Sequence, residues 1–91
     1  MRMTDLDFIL GEKKLIEFEI TSLKGETVVV LSAEWSLTKQ GEEVDHGDCT
    51  IDGGNTLEML LAPDKIGTYE LTITYKIAPE VRKARCIVNV C

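Results

Sequence analysis

The sequence predicts an all-β fold, an antiparallel sandwich of about seven strands forming a single domain over residues 1–91. Three observations carry that expectation. Apolar residues recur with period two, and no stretch shows the helical period. Gly, Pro, Asn and Asp punctuate the chain about every eight to twelve residues, the spacing of short strands joined by reversals. Hydrophobic residues make up 44% of the 91 and charged residues 29%. A chain of this size buries roughly 60–65% of its unfolded surface, enough for a core without metal or disulfide staples.

The strands follow in order. Residues 6–10 offer Leu6, Phe8 and Leu10 to one face. Residues 15–21 set Ile16, Phe18 and Ile20 against Glu17 and Glu19. Residues 28–39 read as one long strand with Val29, Leu31, Ala33, Trp35 and Leu37 inward, which turns Val28 and Val30 outward. Residues 47–51 supply Cys49 and Ile51, and residues 56–62 supply Leu57, Met59 and Leu61. Residues 68–77 place Tyr69, Leu71, Ile73, Tyr75 and Ile77 inward. Residues 83–90 place Ala84, Cys86, Val88 and Val90 inward, with Lys83, Arg85 and Ile87 outward. Between them lie turns at 23–27, 39–43, 52–55, 63–68 and 78–82, each holding Gly or Pro where the chain must reverse.

Charge narrows the partners. Ten Lys and Arg against sixteen Asp and Glu leave a net charge of −6, which disfavours nucleic acid and anionic membrane surfaces. The longest apolar run, Val28–Leu31, is far too short to span a membrane. Asp5 and Asp7 interrupt what would have to be the apolar core of a secretory signal, so the expectation is a protein made in the cytoplasm. Three cysteines, Cys49, Cys86 and Cys91, without CxxC spacing, read as free thiols.

The stretch APDKIGTYEL, residues 62–71, identifies the architecture further. Pro63 ends a strand, because it cannot donate to a ladder, Asp64 favours a turn, and Gly67 suits a positive φ. Tyr69 then stands two residues ahead of inward Leu71, the layout of a tyrosine corner, in which a phenol bonds to upstream backbone. Together with an inward Trp35 on the third strand, this resembles the immunoglobulin-like family, whose corner reads Asp-x-Gly-x-Tyr-x-Cys. Here Asp64, Gly67 and Tyr69 match with one extra residue between Asp and Gly, and Leu71 replaces the Cys. The resemblance implies that the other half-cystine position falls near Phe18 or Ile20, both apolar, so hydrocarbon fills the place of the bridge. Trp35, Tyr69, Leu71, Phe18 and Ile20 are the core residues it singles out.

No catalytic set emerges. His46, the single histidine, sits with Asp45, Asp48 and Cys49, but their spacing matches no zinc or calcium motif. Ser22, Ser32 and Ser36 lack a nucleophile elbow, and DGGN at 52–55 precedes a strand rather than a phosphate-binding helix. No enzyme, cofactor, metal or small-molecule substrate is expected. Charge is lopsided: seven acids and no Lys or Arg lie between Lys39 and Lys65, while Lys76, Arg82, Lys83 and Arg85 cluster with one acid, Glu80. The order of features also resembles small phage and prophage virion proteins of the head, neck, tail or baseplate. That likeness implies a structural role through protein partners or self-association, with the virion as destination. Val28, Val30, Lys83, Arg85 and Ile87 are the expected interface. The alternative is an adhesion-like or carbohydrate-binding module, against which both tyrosines and the tryptophan fall on the inward parity.

Overall fold

The computed structural model of the chain describes residues 5–20, 28–77 and 79–91. The turn expected over 23–27, Thr21, Ser22 and Ala78 lie outside the described residues. Strands β1 (Asp5–Phe8), β2 (Lys14–Glu19), β3 (Ser32–Lys39), β4 (Glu42–Asp48), β5 (Thr50–Asp52), β6 (Thr56–Leu61), β7 (Gly67–Ile77) and β8 (Glu80–Val90) form two sheets. One runs β1-β8-β7-β3-β4 and the other β2-β6-β5. Their facing sides share one core, which holds Trp35, Leu37, Leu71, Ile73 and Val88 from the larger sheet and Leu57, Met59 and Leu61 from the smaller. Ile20 is buried, and Phe18 is half-buried against the same cluster. The all-β, two-sheet architecture agrees with a sandwich.

Four local expectations change, each for a physical reason. The third strand begins at Ser32, not Val28, and Val30 is buried (4% exposed) while Val29 and Leu31 are exposed. The Val30 N–H donates to the Gly54 carbonyl, beside the smaller sheet, and the Leu31 N–H to the Lys76 carbonyl in the larger one. The chain is crossing between sheets there, so the period-two phase is not carried through. Residues 42–48 form a strand, most of which the alternation did not mark. β4 is the edge of the larger sheet and is wet on both sides, so its sequence shows no alternation. The strand expected over 47–51 is divided at Cys49, which passes the chain from one sheet to the other while its N–H donates to the Ala33 carbonyl. Finally, β1 pairs with β8 in parallel, an exception to the antiparallel pattern, and Leu10 lies past its end in solvent.

The β7–β8 hairpin is tighter than the 78–82 turn expected from sequence, since Ile77 already pairs with Glu80. The corner ahead of β7 forms as expected. The Tyr69 hydroxyl donates to the Lys65 carbonyl at 2.7 Å, and the ring is buried. Gly67 adopts φ +139°, and a Cβ there would stand 2.9 Å from Lys39 Cε. Lys39 uses that space: its Nζ donates to the Ile66 carbonyl at 3.0 Å and lies 5.5 Å from the centre of the Tyr69 ring. Tyr69→Phe should therefore cost about 1–2 kcal/mol in a denaturant melt, because it leaves a part-buried carbonyl without its donor. An unchanged midpoint would show that the corner contributes no stability.

Candidate functional site

Gly47 lies directly opposite Trp35, and a Cβ at 47 would stand 2.9 Å from the indole Nε1. The missing side chain lets β4 lie close over the tryptophan. Beside this contact an open groove of about 610 Å³ is lined by Glu34, Glu43, His46 and Asp48 among others. His46 Nδ1 lies 3.5 Å from Glu43, and all four side chains are exposed. Among the described residues, no group of three or more His, Cys, Asp or Glu side chains is placed to hold a metal ion.

The three thiols are all free. Burial first, then Asp48 and Glu34, push the half-buried Cys49 thiol up to about 11. Burial and then Asp5 push the buried Cys86 thiol up to about 11 as well. At pH 8 only about a thousandth of either is thiolate, the reactive form. A thiol reagent should therefore label one cysteine promptly in the native protein, the exposed Cys91, and all three only after unfolding. Reductant should leave the melting temperature unchanged. Rapid native labelling at two or three sites, or a drop of several degrees under reductant, would contradict this picture.

The surface residues expected to form an interface separate into two groups. Lys83 and Arg85 are exposed and Ile87 half-buried on the outer side of β8, as the alternation predicts. Val28 is half-buried and packs against the core cluster, and Val30 is inside it, so neither belongs to this surface. Two residues that sequence reading did not place there join it instead. Register sets Lys76 beside Val81, then Thr74 beside Lys83, Thr72 beside Arg85 and Glu70 beside Ile87. The outer side of β7–β8 thus carries a strip of Lys76, Lys83 and Arg85 between exposed Val81 and half-buried Ile87. Among the described residues, neither Lys76 nor Lys83 is in an ion pair, and Arg85 approaches Glu70 only to 3.9 Å. Arg82 lies off the strip by parity and is held by Glu80 at 2.9 Å.

The outer face of the smaller sheet is the opposite in charge. Leu15 stands opposite Leu60, Glu17 opposite Glu58, and Glu19 opposite Thr56. β5 adds Thr50 beside Glu58 and Asp52 beside Thr56. Sequence alternation marks Glu17 and Glu19 as outward, but only the β2–β6 register brings them beside Glu58 and Asp52.

No protein-family model matches the chain, and no curated protein matches it. Two solved structures are similar to it. One is an engineered protein from the Northeast Structural Genomics Consortium, with a TM-score of 0.77 over 96% of this chain at 20% identity. The other is a "putative glycoside hydrolase from Bacteroides vulgatus ATCC 8482", with a TM-score of 0.59 over 94% of this chain at 16% identity. These likenesses show the fold alone. This chain spans 18% and 16% of those two chains, so in both the shared fold is a small part of a much longer polypeptide.

Proposed function

We infer that the chain is a non-enzymatic, immunoglobulin-like domain that works by protein–protein contact as a component of an assembly. Strand order supports the family reading: β2-β6-β5 and β8-β7-β3-β4 correspond to the two sheets of an immunoglobulin sandwich with an extra edge strand beside the third. The Tyr69 corner and buried Trp35 occupy the matching positions. One observation carries the functional part. The outer side of β7–β8 holds an array of Lys76, Lys83 and Arg85 bounded by Val81 and Ile87, apolar area beside two lysines that are in no ion pair among the described residues and an arginine 3.9 Å from Glu70. Such a surface steers and orients a protein partner bearing acids. The setting we assign is a phage or prophage particle, on the order of features from the acidic lead through the Trp strand to the basic last strand.

Carbohydrate binding is the second reading, since one fold neighbour is described as a hydrolase of glycosides. Trp35, Tyr69 and Tyr75 are all buried, however, and sugar stacking requires exposed rings. The test of the first reading combines sedimentation at high concentration with pull-down against the products of the genes adjacent to this one. Capture of a defined neighbour, or self-association, that is lost in Lys83→Glu/Arg85→Glu supports it. A strict monomer that captures none of those products overturns it.

A further inference from the structure

We propose that the outer face of the β2-β6-β5 sheet is the docking surface for the β7–β8 face of a second copy, so that copies stack head to tail. This rests on the functional reading above and names the partner. The acidic face is built at a cost within the single chain. Glu17 and Glu58 are direct cross-strand neighbours, Glu19 and Asp52 occupy the next row, and among the described residues no Lys or Arg shares that grid. Like charges directly opposite each other destabilise a sheet. At the end of the same rows, Leu15 and Leu60 face each other in solvent, 55% and 50% exposed.

Strands β2 and β8 match in spacing as well as sign, while Glu70 and Asp5 flank Ile87 at the apolar end of the β8 row. Outward side chains on any strand repeat every two residues, about 6.7 Å, and adjacent strands lie about 4.8 Å apart. Reading along β2, the rows are Leu15, Glu17 and Glu19. Reading back along β8, they are Ile87, Arg85 and Lys83. Each is apolar, charged, charged, with opposite sign and the same period. Laying one on the other puts Leu15 and Leu60 on Ile87, Glu17 and Glu58 on Arg85, and Glu19 and Asp52 on Lys83.

The surfaces lie on opposite sides of the sandwich, so the contact is heterologous: each copy uses both, and the array does not close as a two-fold dimer. The overlap of the two faces covers about 200 Å², two strands by three rows. That is well below the roughly 800 Å² per partner of a stable interface, so the contact is transient between two copies and is sustained where many copies stand side by side. The two shorter principal extents of the domain are 23 and 21 Å, which sets the expected rise per copy in a stack.

A charge-swap experiment on the full chain tests this. Lys83→Glu/Arg85→Glu gives a protein with two acidic faces, and Glu17→Lys/Glu58→Lys gives one with two basic faces. All four positions are exposed or half-exposed, and native folding is confirmed in each by Trp35 fluorescence. If the first pair fails to fold, Lys83→Gln/Arg85→Gln replaces it. Light scattering and small-angle X-ray scattering at high concentration and low salt should show self-association of the wild type. That association should weaken about tenfold or more in high salt, where charges are screened within a few ångströms. Each variant alone should be monomeric, and an equimolar mixture should associate again. A monomeric wild type, or a mixture that fails to associate, overturns the proposal. If only the β8 substitutions abolish contact, the functional reading stands and this choice of partner surface is wrong.

Discussion

Trp35→Ala should lower unfolding free energy by about 3–5 kcal/mol, the range for removing a large buried aromatic. The indole is 8% exposed, sits in the central core cluster, and is covered by Gly47 across the β3–β4 pair. No neighbouring side chain can collapse into the space from position 47. A domain of this size is stable by about 5–14 kcal/mol, so the loss consumes a large share of the total. At roughly 4–8 °C per kcal/mol, the melting temperature should fall by at least about 12 °C. Native tryptophan emission should be blue-shifted and should move to the red in denaturant. A water-like emission maximum in the folded protein would contradict the assignment.

Val30→Asp and Val29→Asp should part company by about 3 kcal/mol or more. Val30 is 4% exposed and its carboxylate replacement would have no counter-charge inside the core, a change that costs several kcal/mol. Val29 is 56% exposed, and an aspartate there should change stability by no more than about 0.5 kcal/mol. Chemical denaturation of the two variants settles it. Equal effects, or the reverse order, would mean that the chain does not cross between sheets at residues 28–31.

That pair also marks where the sequence stops being legible. Residues 14–19, 56–61, 67–77 and 83–90 alternate because one side faces the core and the other water, so these strands and their inward residues can be read directly. Val28–Leu31 is apolar at every position, and a run without polar residues carries no phase. β4 fails for the opposite reason, being polar along both sides of an edge. The parallel pairing of β1 with β8 depends on contacts more than eighty residues apart, which no local pattern encodes. The tyrosine corner was readable because Pro63, Gly67 and Tyr69 each have a local backbone reason to be there. The charged surfaces were readable only in part. Lys83 and Arg85 follow from alternation on one strand, whereas Glu17 beside Glu58 requires a register between strands.

The parallel seam between β1 and β8 has a mechanical consequence. Asp5 lies beside Ile87 and Phe8 beside Val90, and the ladder continues where the Cys91 N–H meets the Phe8 carbonyl at 3.0 Å and the Leu10 N–H meets the Cys91 carbonyl at 2.8 Å. Tension applied at Asp5 and at Cys91 pulls these two strands in opposite directions along their own length. The hydrogen bonds of the seam then bear the load together, in shear, rather than parting one after another as a zipper does. A unit strung between neighbours would give way only when that whole set breaks at once.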